Sequence, residues 1–498
     1  MSLKSRVFDT ADGRPNILII VSDTFRRDNM ACYGGEPNRT PALNRFATEG
    51  TVFKRFYSCS FPTVPARADL LTGRIAFTRQ GWGPLEQSWG TVAEVATESG
   101  YKTMCVTDVP FLMRSGFGYD RGFSDYIWVR GQPDRLHPDS AADVVGLRRT
   151  EADHCAPATM RLAAEWMERQ AGRKRPTPFL LVADTWDPHE PWDAPPYYVR
   201  EFSSEYEQQE VPYPAYAKLG AAGAAAEDVA LGRAAYLGKT KMVDHWIGHL
   251  LGRLDVFGFR DNTVVFFLTD HGFYFGEHGY FGKSIGWRIG PVTEERSAVG
   301  EMGHSPLYEE VCHIPLVVRA PGIDPGEIDG MACIADVGAT VRDIVGAEPL
   351  GEGRSLLAPE GTGLHAPRTF TVTSWPMHLP GERTRSVDSA ERAFSGFMPM
   401  TVTTDRWSML YASGEDPVEL YDLWHDPAQM TDVAEAHPEV VGELHGLLVS
   451  FLEDASCPAA YLAPRSVLPA RFAATDGAVS GHDGLAVTPR GEDLAADV

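Results

Sequence analysis

The chain has 498 residues, enough for two or three domains or for one large α/β unit with a smaller partner. Hydrophobic residues make up 43% and charged residues 23%, which excludes a mostly disordered or fibrous protein. With 45 Lys and Arg against 68 Asp and Glu, the formal net charge is −23. A surface this acidic repels phosphate backbones and anionic lipids, so it excludes nucleic acid and membrane surfaces as general partners. A small anionic substrate stays compatible with it, because a metal ion can reverse the potential inside a pocket.

The cysteines and the chain start indicate the compartment. The seven cysteines are odd in number, lack the spacing of a zinc knuckle and mostly have apolar neighbours, which predicts buried free thiols in a reducing compartment. The chain start lacks a signal-peptide core, and no run approaches the ~18 apolar residues that span a bilayer. We therefore expect a cytoplasmic protein, and the sequence leaves homo-oligomerisation open.

Apolar runs alternate with helical patterns in the first two thirds of the chain. Buried strands are predicted at 16–22, 103–107, 179–183, 263–268 and 314–318. Apolar residues at helical spacing predict helices at 158–170 and 234–254. This alternation favours an α/β fold with a mostly parallel central sheet flanked by helices, in which ligands bind beyond the carboxyl ends of the strands.

The pattern changes after about residue 350. Segments 369–374, 398–404 and 407–412 alternate as antiparallel strands do, and a helical pattern follows at 440–452. We therefore expect a catalytic α/β domain at 1–365 and a smaller C-terminal α+β domain at 366–460. Residues 461–498 are poor in apolar side chains and read as a docked arm or a disordered tail.

Three polar residues follow predicted strands. Asp23 comes directly after the first strand, and Asp270 and His271 come after the fourth. Two carboxylates and an imidazole at strand ends suit Zn²⁺ or Mn²⁺, and Ca²⁺ if further oxygen ligands join. The alternative is that each Asp caps the helix that follows its strand.

The segment SFPTVPARADLLTGR carries a candidate nucleophile. Pro65 favours the first turn of a helix, which places Thr63 at the helix N-terminus, where the dipole and free N–H groups stabilise negative charge. Arg67 lies about one turn further on and is within reach of the same anion. The alternative is a helix cap at Thr63 and a solvated Arg67.

Taken together, these pieces resemble the sulfatase branch of the alkaline phosphatase superfamily. The opening VSDTFRRDNMACYGG and the nucleophile frame at Thr63, Pro65, Arg67 and LLTGR match this branch, as does WDPHEPW. So do the run into TVVFFLTDHG, the segments GEHGYFGK and LYEEVCHIPLVV, and the C-terminal ELYDLWHDPAQMTDVA. The resemblance implies an alkaline phosphatase-like fold and a metal-dependent ester hydrolase.

The resemblance also implies roles for individual residues. It makes Thr63 the nucleophile and a metal ligand beside Asp23, Asp270 and His271. It assigns anion binding to Arg67 and Lys283. It places His189 at the active site, where it binds substrate or protonates the leaving group, and it makes His304 a leaving-group acid or a ligand of a second metal.

Four departures from the family pattern bear on the reaction. Thr63 stands where sulfatases carry a Cys or Ser that is oxidised to formylglycine, an aldehyde that threonine cannot form. Thr24 replaces a second metal-binding Asp. Asp108 replaces a substrate-binding Lys, which disfavours a dianionic group, and an insertion at 284–303 predicts a substrate-selecting loop or a plain surface excursion.

Some residues allow further readings. A second metal would use Asp184 or Asp187 with His189 and His304, an arrangement that fits the spacing less well than a single divalent cation. His245 and His249 are taken as part of a packing helix. Four tryptophans are candidates for an aromatic wall or for core packing, namely Trp82, Trp89, Trp186 and Trp192.

The favoured function is hydrolysis of phosphodiesters or phosphonate monoesters through a phospho-Thr63 intermediate, with one divalent cation (Mn²⁺, Zn²⁺ or Ca²⁺) and no formylglycine. The first alternative is a sulfuric ester hydrolase that uses unmodified threonine. The second is a catalytically silent homologue that binds an anion without turnover.

Overall fold

The computed structural model describes residues 14–130, 150–174, 177–206, 214, 216–221, 224–284, 304–359, 363–379, 382–384, 392–393, 398–413 and 418–472. The strands, numbered β1 to β17 in chain order, are Asn16–Ser22, Thr51–Tyr57, Lys102–Thr107, Asp125–Trp128, Phe179–Thr185, Ala217–Lys218, Thr263–Leu268, Tyr274–Phe275, Tyr280–Gly282, His313–Arg319, Gly326–Cys333, Phe370–Ser374, Arg383–Thr384, Arg392–Ala393, Met400–Thr404, Trp407–Tyr411 and Glu419–Asp422. The helices, numbered α1 to α10, are Pro41–Thr48, Thr63–Thr72, Val92–Glu98, Cys155–Ala171, Pro196–Val199, Ala226–Val256, Glu309–Cys312, Ile334–Ile344, Pro438–Asp454 and Ala459–Arg465.

The central sheet has eight strands in the order β11-β2-β10-β7-β1-β5-β3-β4. Every neighbouring pair is parallel except those made by β10, which runs antiparallel to β2 and to β7. Pro315 lies near the start of β10, where the register to β2 shifts between Ile314 and Leu316, so its missing N–H is accommodated at an irregularity. The predicted mostly parallel α/β fold is confirmed.

Helices cover both faces of this sheet because its central strands are apolar on both sides. Successive β1 side chains alternate between two cores: Ile17 and Ile19 pack towards α2, α3 and α8, whereas Leu18 and Ile20 pack towards α1, α4 and α6. The predicted helices at 158–170 and 234–254 are the central parts of α4 and α6.

Strands β12, β15, β16 and β17 form a separate antiparallel sheet, against which α9 packs. The three strands and the helix predicted for this region are present. This sheet also touches the predicted nucleophile segment, because Phe61 N donates to Ser374 O over 2.9 Å.

The chain beyond 460 continues to pack onto this smaller sheet and helix as far as residue 472. Helix α10 crosses the predicted boundary at 460, His445 Nε2 lies 2.9 Å from Arg465 O, and Ser413 Oγ donates to Pro464 O over 2.6 Å. Residues 473–498 lie outside the described part, and the domain limits stay predictions. All seven cysteines are free, as predicted, and all except Cys32 are buried, whereas the reducing compartment stays a prediction.

Candidate active site

Asp23, Asp270 and His271 come together at the carboxyl edge of the central sheet. Strands β1 and β7 are parallel neighbours, so the residues that follow them lie side by side. One ligand atom from each of the three residues lies within 4.8 Å of the other two, and all three side chains are buried. Elsewhere in the described ranges no other group of three His, Cys, Asp or Glu has this geometry. Buried carboxylate oxygens with an imidazole nitrogen form a donor set that suits a divalent cation.

The imidazole of His271 is in the form that binds metal. Its Nδ1 lies 2.9 Å from Gly272 O, and because a carbonyl only accepts, Nδ1 carries the proton and Nε2 keeps its lone pair. Burial lowers the pKa of His271 to about 3, which keeps the ring neutral at physiological pH. Its Nε2 is the atom that lies nearest to Thr63 and Lys283.

Thr63 is the first residue of α2. Its Oγ1 lies 3.4 Å from His271 Nε2, and the side chain is buried at the positive end of the helix. Asp69, one and a half turns further on, accepts hydrogen bonds from Ser60 N (3.0 Å) and Ala76 N (2.7 Å), which fixes the segment leading into the helix. The structure thus brings the predicted nucleophile to the three candidate metal ligands.

Arg67 lies behind these ligands and is 1% exposed. Its Nη1 donates to Asp23 (2.9 Å), to Asp270 (2.7 Å) and to the Thr63 carbonyl (3.1 Å). Its Nε and Nη2 form a two-pronged pair with Asp184 at 2.9 and 2.8 Å. All three guanidinium nitrogens are therefore engaged with the protein, so Arg67 positions the ligands and the start of α2. Its predicted contact with a substrate anion stays a prediction.

The charge balance of this centre leaves room for a cation. Asp23, Asp184 and Asp270 face two cationic groups, Arg67 and Lys283, so the ionised set has a net charge of −1. Burial and the neighbouring Asp270 carboxylate raise the pKa of Asp23 well above its ordinary value. A divalent cation would relieve this repulsion, which makes the residues a good fit for one.

Thr24 hydrogen-bonds to the carboxylates of two candidate metal ligands, contacts that the sequence did not reveal. Its φ is +59°, a left-handed conformation that costs a β-branched residue about 1–3 kcal/mol. Its N donates to Asp270 Oδ1 over 2.9 Å and its Oγ1 to Asp23 Oδ1 over 2.6 Å, while Tyr236 OH donates to its carbonyl. Thr24, which the sequence analysis noted only as the replacement of an Asp, therefore connects the Asp23 and Asp270 carboxylates by hydrogen bonds.

Lys283 reaches the same centre from the end of β9. Its Nζ lies 3.2 Å from Thr24 Oγ1, 3.4 Å from His271 Nε2 and 4.0 Å from Asp23 Oδ1. The ammonium group therefore lies beside His271 Nε2, the atom that also faces Thr63 Oγ1, and its contact with a substrate anion stays a prediction.

Asp108, predicted to act on substrate, is fully buried at the end of β3. Its carboxylate accepts hydrogen bonds from the hydroxyls of Thr159 and Thr185, both 2.9 Å, and from Trp186 N over 2.5 Å. Burial and the nearby Asp187 raise the pKa of Asp108 to about 7. These contacts tie the loop after β5 to α4, so Asp108 supports that loop, and its predicted effect on substrate charge stays a prediction.

His189 lies in the loop after β5. Its ring stacks on Trp186 with 3.6 Å between centroids, and its Nδ1 lies 2.8 Å from Glu190 O and 3.2 Å from Glu190 Oε2. The proton therefore sits on Nδ1, and Nε2 of the neutral ring is an acceptor. Burial and the Lys283 charge lower the pKa of His189 well below its usual range. The buried Glu190 carboxyl group, which the sequence did not single out, faces Nδ1 of this neutral ring, and burial raises the pKa of Glu190.

A buried lysine of α6 anchors the His189 loop. Lys239 Nζ lies 2.7 Å from Asp187 Oδ1, 2.8 Å from Asp193 Oδ1 and 2.6 Å from Pro191 O, so it ties both ends of the loop to the helix. Its side chain is 1% exposed.

Replacing Lys239 by Met should lower the free energy of unfolding by about 3–5 kcal/mol, because two buried carboxylates lose their cation. The measurement is urea unfolding followed by circular dichroism. The control is Lys241→Met on the same helix, which breaks a more exposed pair with Glu201 and should cost at most about 1 kcal/mol. Equal losses in the two variants would contradict the anchoring role.

Two aromatic rings, those of Trp375 and Phe61, lie between His304 and the candidate metal ligand His271. Its ring lies edge-on to Trp375 at 4.5 Å, Trp375 packs on Phe61 at 4.5 Å, and Phe61 lies 4.9 Å from the His271 ring. Burial lowers the pKa of His304 to about 3. Its predicted part in proton transfer stays a prediction.

The two carboxylates suggested for a second metal, Asp184 and Asp187, are engaged in ion pairs. Asp184 binds Arg67, and Asp187 binds Lys239. Within the parts of the chain that the structure describes, neither belongs to a group with metal-ligand geometry. The insertion at 284–303 lies outside the described residues beyond Ser284.

The four tryptophans separate into two groups. Trp192 is fully buried among Tyr236, Phe273, Phe275 and Phe281, and Trp89 is a core residue, so both serve packing. Trp186 and Trp82 belong to a line of rings that leads away from His189.

The predicted helix with His245 and His249 is α6. Among the described helices none is long and apolar enough to cross a membrane.

Comparison with known proteins identifies the family. A model of the Sulfatase family matches residues 15–347. An uncharacterized sulfatase, YidJ, of Escherichia coli (strain K12) is 23% identical over 476 residues, covering 88% of this chain and 87% of the relative. An arylsulfatase of Clostridium perfringens (strain 13 / Type A) is 24% identical over 497 residues, covering 88% and 95%.

A solved structure shares the fold. The phosphonate monoester hydrolase of Agrobacterium radiobacter superposes with a TM-score of 0.63 at 20% identity, covering 89% of this chain and 96% of that chain. Because the family model extends over more than half of the sequence, the chain belongs to the sulfatase family of ester hydrolases.

Proposed function

We propose that this protein is a metal-dependent hydrolase of phosphodiesters or phosphonate monoesters, with Thr63 as its nucleophile. The observation that carries the proposal is the Thr63 hydroxyl, 3.4 Å from His271 Nε2, beside Asp23 and Asp270. Threonine keeps its hydroxyl because it cannot be converted to an aldehyde, so the attacking atom is Oγ1 itself.

Asp23, Asp270, His271 and the Thr63 hydroxyl would hold one Zn²⁺, Mn²⁺ or Ca²⁺. When bound, the cation would supply Lewis acidity to the ester and favour ionisation of the Thr63 hydroxyl. The α2 N-terminus stabilises the resulting negative charge at Oγ1. Arg67 keeps the Thr63 carbonyl and both carboxylates in place.

The bond changes follow from this placement. Thr63 Oγ1 forms a bond to phosphorus, and the bond from phosphorus to the leaving oxygen breaks. Lys283 neutralises the developing charge on the phosphoryl oxygens. The neutral His189 ring takes up at Nε2 the proton that the Thr63 hydroxyl releases, and passes that proton to the leaving oxygen. Water then hydrolyses phospho-Thr63 and restores the hydroxyl.

The charge balance favours a monoanionic ester. A divalent cation would outweigh the excess of Asp23, Asp184 and Asp270 over Arg67 and Lys283, which favours an anionic ester. Because the same buried carboxylates and an ionised Thr63 oxygen repel each further negative charge, one charge on the ester is favoured over two. Phosphodiesters and phosphonate monoesters carry one charge, whereas phosphate monoesters carry nearly two at neutral pH. The fold shared with the Agrobacterium radiobacter phosphonate monoester hydrolase supports this choice.

A sulfuric ester hydrolase is the second candidate. Sulfate esters are also monoanions, and the family match together with the Clostridium perfringens arylsulfatase supports this reading equally. It requires an unmodified Thr63 hydroxyl to attack sulfur.

The test is parallel hydrolysis of a bis-aryl phosphate, an aryl phosphonate, an aryl phosphate and an aryl sulfate, each with Mn²⁺, Zn²⁺ or Ca²⁺. We expect the diester or the phosphonate to exceed the phosphate monoester by at least about tenfold in kcat/KM, which corresponds to about 1.4 kcal/mol. Dominant aryl sulfate turnover would replace the first candidate by the second. Metal binding without turnover of any ester would favour a silent homologue.

A further inference from the structure

Three aromatic side chains from separate loops form a line that starts at His189. Trp186 stacks on the His189 ring, Phe111 meets Trp186 edge-on at 5.7 Å, and Trp82 meets Phe111 edge-on at 5.8 Å. Trp186 is 4% exposed, whereas Phe111 and Trp82 are only partly buried. We call Trp82, Phe111 and Trp186 the aromatic shelf.

The inner end of the aromatic shelf belongs to the reaction centre. Lys283 Nζ lies 5.7 Å from the centre of the Trp186 ring and also contacts His271. His189 stacks on Trp186, which is almost fully buried, so a leaving group that extends beyond His189 along this line would meet the partly exposed rings of Phe111 and Trp82. The aromatic shelf thus continues from the site into the region of a substrate that extends beyond the reacting atom.

The backbone at the outer end keeps the rings in this position. Phe111 has a φ of +65°, a left-handed conformation rare for an aromatic residue, and its carbonyl accepts from Arg114 Nε over 2.9 Å. Trp82 lies between Gly81 and Gly83, and a Cβ added at either glycine would meet no atom within 4 Å. The backbone on both sides of Trp82 therefore has free space around it, and the Trp82 indole packs against Phe111.

We infer that the aromatic shelf binds a flat ring with an apolar face on the leaving-group side of the substrate. An aryl group stacks on such a surface, and so does the C–H face of a sugar ring. The inference rests on the proposed function in one respect, since it assigns the leaving group of that reaction. It predicts that ring-bearing esters are preferred to small alkyl esters of the same acid.

The first experiment compares kcat/KM for phenyl, glycosyl and methyl esters of methylphosphonic acid in the wild type, Trp82→Leu and Phe111→Asn. Asn tolerates the left-handed conformation at 111, which preserves the backbone. The preference for a ring over methyl should fall about 3- to 10-fold in each variant. The phenyl and glycosyl arms distinguish the two ring sources. Trp424→Leu, which removes an exposed tryptophan of the C-terminal sheet region, should leave the preference unchanged.

A binding experiment separates failure of the aromatic shelf from failure of the proposed function. Calorimetry measures the affinities of phenyl methylphosphonate and methyl methylphosphonate for metal-loaded Thr63→Ala protein, alone and combined with each shelf substitution, so that the ring sits on the leaving-group oxygen and no turnover occurs. Tighter binding of the phenyl ester that is lost with the shelf substitutions supports the aromatic shelf even if no ester is hydrolysed. An unchanged ratio of affinities in folded variants would overturn it.

Discussion

Thr63→Ala should lower kcat on the best ester substrate by at least about 10³-fold, because it removes the atom that forms the bond to phosphorus or sulfur. Thr63 is buried, and alanine fits the same helical position, so the variant should remain folded and bind metal. The measurement is steady-state hydrolysis with the metal that supports the highest wild-type rate.

Thr63→Ser is the matched control. It keeps a hydroxyl at the N-terminus of α2 and should retain a measurable part of the activity. During turnover, mass spectrometry of rapidly quenched wild-type protein should find Thr63 phosphorylated, or sulfated if sulfate esters are the substrates. Wild-type rates in Thr63→Ala would remove this residue as the nucleophile and, with it, the proposed chemistry.

Asp270→Asn should weaken binding of the divalent cation by more than about 10²-fold. Loss of a residue that only hydrogen-bonds to a metal ligand costs about 10- to 100-fold in metal affinity, and loss of a ligand should cost more. Asp270 contributes a buried carboxylate, and an amide at this position both loses charge and turns a donor towards Arg67 Nη1, 2.7 Å away. The measurement is calorimetric metal titration together with the metal-dependent rise in Tm.

Asp184→Asn is the comparison for that experiment. Asp184 is equally buried and also binds Arg67, yet it does not belong to the ligand group, so its loss should weaken metal binding by about 10- to 100-fold at most. Equal effects of the two substitutions would show that the site depends on charge balance alone.

Metal binding should also weaken as the pH falls, because the raised pKa of Asp23 makes its carboxyl take up a proton first, whereas the lowered pKa of His271 keeps the imidazole neutral.

Much of the fold was encoded locally. Apolar runs such as Thr263–Leu268 are buried on both faces because helices cover both sides of a parallel sheet, so their composition alone indicates strands. Strand β2, with Lys54 and Arg55 near its middle, and strand β11, whose first five residues are exposed or half-exposed, have no such run. They are strands because β2 pairs with both β11 and β10. The register of a strand and the choice of its neighbours depend on contacts between segments that are far apart in the sequence. A local pattern of apolar residues does not contain this information.

The site shows the same division. The sequence by itself determined the residue types at the strand ends, Asp23, Asp270 and His271, and the family frame around Thr63, since both are written in contiguous motifs. Only the tertiary structure decided what these groups contact. In the folded chain Arg67 pairs with three buried carboxylates, and Asp108 hydrogen-bonds to the end of the strand that leads into the His189 loop. Thr24 hydrogen-bonds to the Asp23 and Asp270 carboxylates. A side chain's charge is fixed by its type, but its partner is fixed by which segments the folded chain brings within hydrogen-bond distance.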